Sequence, residues 1–213
     1  MNTLDPLAVA KQPTQQRAKE RFDKIIKEGE RLLIAEGLSG FSIPTLAERL
    51  GYTRGSVYAY FPTHYALLNE LAVRYLAELE GVFTQIADEL QGMTWREAVV
   101  AVVDHAVKFH NSHPAARLLI LGGAVTDDSY RVQELAIQKL GVLTRALLET
   151  RDIHLPRTRP DAAMLLVDIG TTCFRVSQFL HGTITKEYRE EAVLAMQAYL
   201  ERHVGPVRSR RTR

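Results

Sequence analysis

The chain has 213 residues, 46% of them hydrophobic and 24% charged, with 13 Gly and 8 Pro, proportions that exclude collagen-like, disulfide-scaffold and wholly disordered chains. Its formal net charge of +2 is unevenly spread: residues 1–65 carry nine Lys/Arg against seven Asp/Glu, residues 66–205 fourteen against eighteen, and residues 206–213 four Arg against none. No run approaches the roughly 18 uninterrupted apolar residues of a membrane span, the N-terminus lacks a basic flank followed by an apolar stretch, and the single Cys173 can form no internal disulfide, so a cytoplasmic protein with no membrane partner, metal or cofactor is expected.

Residues 1–13 carry no periodic pattern and are expected to be a disordered N-terminal segment. From Thr14 to Glu36 the residues Ala18, Phe22, Ile25/Ile26, Gly29 and Leu32/Leu33 recur every three or four positions among charged neighbours, which predicts an amphipathic helix ending at Gly37. Ser42 is placed to cap a second, two-turn helix that carries Pro44 in its first turn and ends before Gly51. Thr53 caps a third short helix, Arg54 to Tyr60, which Pro62 terminates. A fourth helix is expected from Thr63 to about Leu90, stopped by Gly92. The pattern then stays helical: Trp95 to Asn111, a short segment near Pro114 to Leu121, Ser129 to Thr150, Arg159 to Leu180 and Glu187 to His203, with breaks at Gly122-Gly123, Leu155 to Pro160 and Gly182. The fold class is all-α: a helix-turn-helix head at residues 14–66, a larger helical body at 67–205 and a basic tail at 206–213. Arg208, Arg210, Arg211 and Arg213 of that tail read either as a solvated end or as an auxiliary phosphate-contacting arm.

Within the head, Ile43, Leu46, Ala47, Leu50, Val57 and Phe61 supply a core. The polar residues left outside it are of the types that a duplex backbone and major groove require. Ser42 and Thr53 stand at helix N-termini, where free backbone N–H groups favour phosphate. Arg54 suits a phosphate or a guanine edge, Ser56 and Tyr60 can reach base edges or sugars, and Tyr58 carries a hydroxyl at phosphate-contact length. Gly55 allows close approach of the backbone to DNA.

Ser42, Ile43, Leu46, Ala47, Leu50, Gly51, Tyr52, Thr53, Gly55, Tyr58, Tyr60, Phe61 and Leu67 stand in register with the head motif of the TetR family of transcriptional regulators, which the chain resembles over roughly residues 17–70. The resemblance implies a homodimeric, sequence-specific regulator of double-stranded operator DNA, most simply a repressor. It departs at His64, where the family commonly carries a Lys that touches the DNA backbone. Only the imidazolium restores that charge, so operator affinity is expected to rise modestly as the pH falls from about 8 to 6.

The body resembles the family only in length and helical character. By that resemblance the last two long helices pair with those of a second subunit. The stripe Ala163, Leu166/Val167, Gly170, Phe174 and Ser177 and the residues Val193, Met196 and Leu200 are the expected contact faces, intramolecular core being the alternative. A small apolar or amphipathic effector is also implied, with Phe83, Trp95, Phe109, His110, His113, Arg117, Leu121, Cys173, Phe174 and Gln178 as candidate lining residues. His105 and His110 are five residues apart and fall on different helix faces, which argues against a metal site shared with His113. No nucleotide, metalloprotease or hydrolase motif is present, so no catalytic residue is expected. A regulator without an effector, an all-α enzyme or ligand carrier, and a DNA-bending protein without sequence preference are the alternatives.

Overall fold

The computed structural model describes residues 5–122, 126–156 and 160–204; the basic tail, Gly123 and Arg159 lie outside the described residues. Among the described residues, nine α-helices follow a short 3₁₀ turn at Pro6–Ala8: α1 Gln16–Gly40, α2 Ile43–Leu50, α3 Arg54–Tyr58, α4 His64–Gln85, α5 Trp95–Ser112, α6 Pro114–Ala116, α7 Asp127–Glu149, α8 Ala162–His181 and α9 Lys186–Glu201. A π-helical turn, Arg117–Leu121, continues α6. No strand occurs among the described residues. The chain forms two compact units, one of residues up to Leu79 together with Phe109–Ala136, the other of Glu80–Lys108 with Ile137 onward. The predicted head therefore belongs to a unit that extends past residue 66 and takes in later helices.

In the first unit, α1 buries Phe22, Ile25, Ile26, Gly29, Leu32 and Leu33, the three-and-four spacing read in the sequence. Gly29 is small because α4 lies against it: a β-carbon there would stand 2.8 Å from Leu67 Cδ2. Gly37 adopts φ +68°, ending the regular helix where predicted, but one further turn carries α1 to Gly40. Residues 5–12 are not the free tail expected from their lack of periodicity. Ala8 and Ala10 are buried, and Thr63 Oγ1 and Asn69 Nδ2 donate to the carbonyls of Leu7 and Ala8 at 2.8 and 3.1 Å. Periodicity is blind to such a segment, because its order comes from partners about 60 residues away.

In the second unit, Ile86, Leu90 and Ala98 form a buried cluster with Phe83, Met93 and Leu147 packed on it. Regular α4 geometry stops at Gln85, short of the predicted Leu90; Ile86 to Leu90 continue as turns, and the Leu90 carbonyl accepts from the Arg151 guanidinium. The helices α8 and α9 pack closely because Gly170 faces Met196, whose sulfur would lie 2.7 Å from a β-carbon at that position. The Ser177 hydroxyl donates to Thr183 O at 2.8 Å and accepts from Thr185 N at 2.9 Å, closing the turn at Gly182. Arg189 grips the Asp104 carboxylate through two bonds of 2.7 and 2.9 Å, fixing α9 to α5.

These contacts correct the expected subunit interface. Ala163, Leu166, Gly170, Phe174 and Ser177 are buried within a single chain, as are Met196 and Leu200, so the small-residue stripe serves the α8–α9 pair of one subunit. The apolar residues left uncovered are others: Leu165, Val176, Phe179 and Leu180 on α8 and Leu194 on α9. α8 is long and apolar enough to cross a membrane by length and composition alone, although the sequence shows no uninterrupted apolar run of that length; the charged Asp168 and Arg175 along it and its packing on α9 are features of a bundle helix.

Candidate nucleic-acid interface

The helix-turn-helix is built by two caps and one core. Ser42 Oγ accepts from Thr45 N at 3.3 Å at the start of α2. The chain reverses at Gly51, whose φ of +65° suits glycine and whose N–H reaches the carbonyls of Ala47 and Glu48. Thr53 Oγ1 then accepts from Ser56 N at 3.3 Å to start α3. Leu46, Ala47, Val57 and Phe61 are at most 1% exposed. Phe61 stacks on Phe22 with centroids 4.8 Å apart, while Tyr60 meets the Phe22 edge at 5.8 Å. Burial of this set fixes which way the remainder of α3 faces, leaving Arg54, Gly55 and Tyr58 exposed and Ser56 and Tyr60 half-buried.

The hydrogen bonds divide the predicted contact residues by what they still have to offer. Arg54 has neither an ion pair nor a side-chain hydrogen bond among the described residues, and beyond its chain neighbours and its own helix backbone no atom lies within 4 Å of a β-carbon built on Gly55. Three other arginines of this unit are engaged: Arg49 with Glu36 at 2.9 Å, Arg74 with Glu70 at 2.9 Å and Asp23 at 3.2 Å, and Arg31 with Glu28 at 3.2 Å. Ser42 shares its hydroxyl with Thr45 Oγ1 at 2.7 Å, and the Ser56 hydroxyl donates to Thr53 O, also at 2.7 Å. Ser42, Thr53 and Ser56 are therefore capping residues first, with only spare lone pairs for a partner.

His64 lies half-buried with its ring centroid 3.8 Å from that of Tyr65. Burial lowers its pKa from the ordinary 6.5, so the imidazole is chiefly neutral at pH 7. Any gain of charge here is shifted towards lower pH than for an unburied histidine. Beside the α2–α3 turn, the Arg21 guanidinium sits 5.1 Å over the Tyr52 ring. Nothing local marks it, since Arg21 and Tyr52 are 31 positions apart.

The ten residues proposed for an effector are divided between the units, five in each. In the first, Phe109, His110, His113 and Arg117 come together: His113 stacks on Phe109 at 4.6 Å, and Arg117 Nη1 donates to the His110 carbonyl at 2.9 Å. His113 Nε2 is 3.3 Å from Glu78, whereas His105 pairs with Glu89 in the other unit. Leu121 is buried. A small cleft in this unit, apolar apart from Asn69, Ser129 and Gln133, contains none of the ten. In the second unit Phe83 packs on the Ile86 cluster, the Trp95 ring carries the Arg96 guanidinium at 4.3 Å, and Cys173, Phe174 and Gln178 lie on α8. Gln178 Oε1 is buried without a hydrogen-bond partner among the described residues.

Comparison with known proteins places both parts of the chain. Residues 25–71 match the family described as bacterial regulatory proteins, tetR family, and residues 94–200 match the tetracyclin repressor-like C-terminal domain. HTH-type transcriptional regulators of Mycobacterium tuberculosis and Mycobacterium bovis are 28% identical over 109 residues, 51% of this chain and 47% of theirs, so the match spans about half the length of these relatives. Among solved structures, SmeT, the repressor of the Stenotrophomonas maltophilia multidrug efflux pump SmeDEF, superposes with a TM-score of 0.62 at 17% identity, covering 87% of this chain and 91% of SmeT. A TetR-family transcriptional regulator from Streptomyces coelicolor gives 0.60 at 20% identity, covering 86% and 99%.

Proposed function

The chain belongs to the TetR family of bacterial regulatory proteins, and from that premise we propose that it is a homodimeric, sequence-specific repressor whose affinity for operator DNA is changed by a small apolar or amphipathic ligand. The observation that carries the DNA-binding reading is the outward face of α3: an unpaired Arg54 guanidinium, an unobstructed Gly55 and an exposed Tyr58 on a short helix held rigidly by the buried Val57 and Phe61. Arg54 reads a base edge or a phosphate, Tyr58 and Tyr60 contact the backbone, and Ser42, Thr53, Ser56 and His64 approach it with their remaining lone pairs or N–H. One five-residue helix makes too few contacts for tight binding, and two copies spaced about 34–36 Å apart reach successive major grooves.

The uncovered apolar face of α8 and α9 supports the dimer. Phe179 is 86% exposed, Leu194 62% and Leu180 57%, a concentration that a second copy would remove from water. For the ligand, the buried Gln178 Oε1, without a hydrogen-bond partner among the described residues, on the helix that carries Cys173 and Phe174, supports an amphipathic molecule with a donor group, with Phe83 and Trp95 of the same unit as the proposed apolar wall. Binding switches the repressor only if the ligand prefers one of two arrangements of the dimer.

The test is a titration of the purified protein against the DNA upstream of its own gene, with excess random competitor at two salt concentrations. Saturable binding to a short near-palindrome that survives competitor is expected. Binding abolished by competitor would instead favour a protein that bends DNA without sequence preference, and its absence at low salt would refute the regulator reading.

A further inference from the structure

Resting on the DNA-binding reading above, we infer that residues 5–12 form a second DNA-contacting element, in which Lys11 supplies the backbone-phosphate cation that position 64 lacks. The segment crosses the junction between α3 and α4, which also carries Tyr60 and His64. Lys11 N donates to the Tyr60 carbonyl at 2.7 Å, Thr63 Oγ1 to the Leu7 carbonyl at 2.8 Å and Asn69 Nδ2 to the Ala8 carbonyl at 3.1 Å. Asp5 Oδ1 accepts from Leu7 N at 2.8 Å, and Pro6 opens the 3₁₀ turn it caps. Ala8 and Ala10, each 7% exposed, are pressed into the unit. Lys11 is thereby held at a fixed place beside the C-terminal end of α3.

Its charge has no other evident use. The Lys11 side chain is exposed and makes no ion pair or hydrogen bond among the described residues. Glu70, the acid bonded by the adjacent Gln12 through Nε2 at 3.0 Å, is also taken by Arg74 Nε at 2.9 Å. His64, two residues beyond the Pro62 that ends α3, is kept chiefly neutral at pH 7 by burial. A neutral ring cannot neutralise a phosphate there, whereas an ammonium on a four-carbon stem, anchored by its own backbone to Tyr60, can. The partner is the sugar-phosphate backbone flanking the groove that α3 enters, a contact that positions the protein without reading sequence.

The experiment measures affinity against salt for wild type, Lys11→Gln, Lys11→Arg and, as a control on α3, Arg54→Ala. The probes are a duplex selected by the wild-type protein from a random pool and a scrambled duplex. Each phosphate contact contributes about 0.9 to the slope of log affinity against log salt. Losing one in each subunit of a dimer therefore lowers the slope by about 1.8. The gap between wild type and Lys11→Gln should then narrow about twelvefold between roughly 50 and 200 mM salt, with selected and scrambled duplexes affected alike and Lys11→Arg restoring the slope. An unchanged slope in Lys11→Gln overturns the inference, as does weaker binding at unchanged slope, which would mean that Lys11 only braces the head. If Arg54→Ala loses preference for the selected duplex while Lys11→Gln keeps its slope, the arm fails and the regulator stands. If wild type selects no duplex, both fail. The exposed side chain of Lys11 and its retained N–H keep Lys11→Gln folded, which thermal unfolding checks.

Discussion

Phe179 is the residue on which the proposed dimer depends most. It is 86% exposed in the single chain, so truncation to alanine removes almost no intrachain packing and should leave the fold intact. Burying a phenylalanine side chain is worth about 1.5–3 kcal/mol, and a two-fold interface buries it twice. Phe179→Ala should therefore weaken dimerisation by about 3–6 kcal/mol, or roughly a hundredfold to ten-thousandfold in Kd. Sedimentation equilibrium over a range of concentrations reads this directly, with circular dichroism to show that helix content is unchanged. The contrasting variant is Phe174→Ala, five positions earlier on the same helix. That side chain is 5% exposed, and its loss should cost about 3–5 kcal/mol of folding stability without a comparable direct effect on association of the folded fraction. A Phe179→Ala protein that sediments as wild type at every concentration would refute the assignment of this face, as would a wild-type protein that is monomeric throughout.

Arg54→Ala should reduce discrimination between a selected operator and a scrambled duplex by about 1–3 kcal/mol if the guanidinium reads a base; competition binding measures it, and equal weakening on both duplexes would move Arg54 to the phosphates. Thr53→Ala removes the cap of α3 and should cost about 1 kcal/mol of stability in urea, unchanged stability showing that the Ser56 N–H finds another acceptor. His110, only 3% exposed, is held down to about 4 by burial first and then by the charges of Arg117 and His113. Its folded pKa lies below that of the unfolded chain, so stability should fall as the pH drops from about 6.5 towards 4, by roughly 2 kcal/mol at pH 5. Urea unfolding at pH 7 and 5 checks this: if the wild type loses no more than His110→Gln, some other group governs acid sensitivity.

The head was legible in the sequence because its determinants are local. Ser42, Pro44, Gly51, Thr53 and Pro62 each impose a backbone state within a few residues of themselves, and the structure places caps and turns where those residue types demand them. In the body, helices were readable to within a few residues but their partners were not. A stripe with Gly170 and Ser177 states only that something approaches closely. Periodicity is the same whether that neighbour is α9 of one chain or a helix of another, and the 2.7 Å from a Gly170 β-carbon to Met196 settles it in favour of the same chain. The exposed Phe179 and Leu194 then follow as what that packing leaves over. Gln178 shows the same limit for the ligand residues. Its type and helix were legible, but the lack of a partner for its Oε1 depends on how surrounding elements fill space.

Residues 5–12 and His64 mark the boundary of what local reading can reach in the head itself. The run Pro6-Leu-Ala-Val-Ala has neither helical nor strand period, and two small apolar residues bury too little surface to order a segment alone. Order comes instead from the Thr63 hydroxyl and the Asn69 amide, which satisfy carbonyls that water would otherwise hold, and from the Tyr60 carbonyl, left open where Pro62 prevents α3 from continuing. The turn that follows α3 thus also supplies the acceptor that fixes Lys11. A departure from the family pattern at position 64 therefore does not by itself imply weaker DNA binding, because the charge absent from α4 can be delivered by a segment that sequence comparison of the head, beginning at residue 25, does not include.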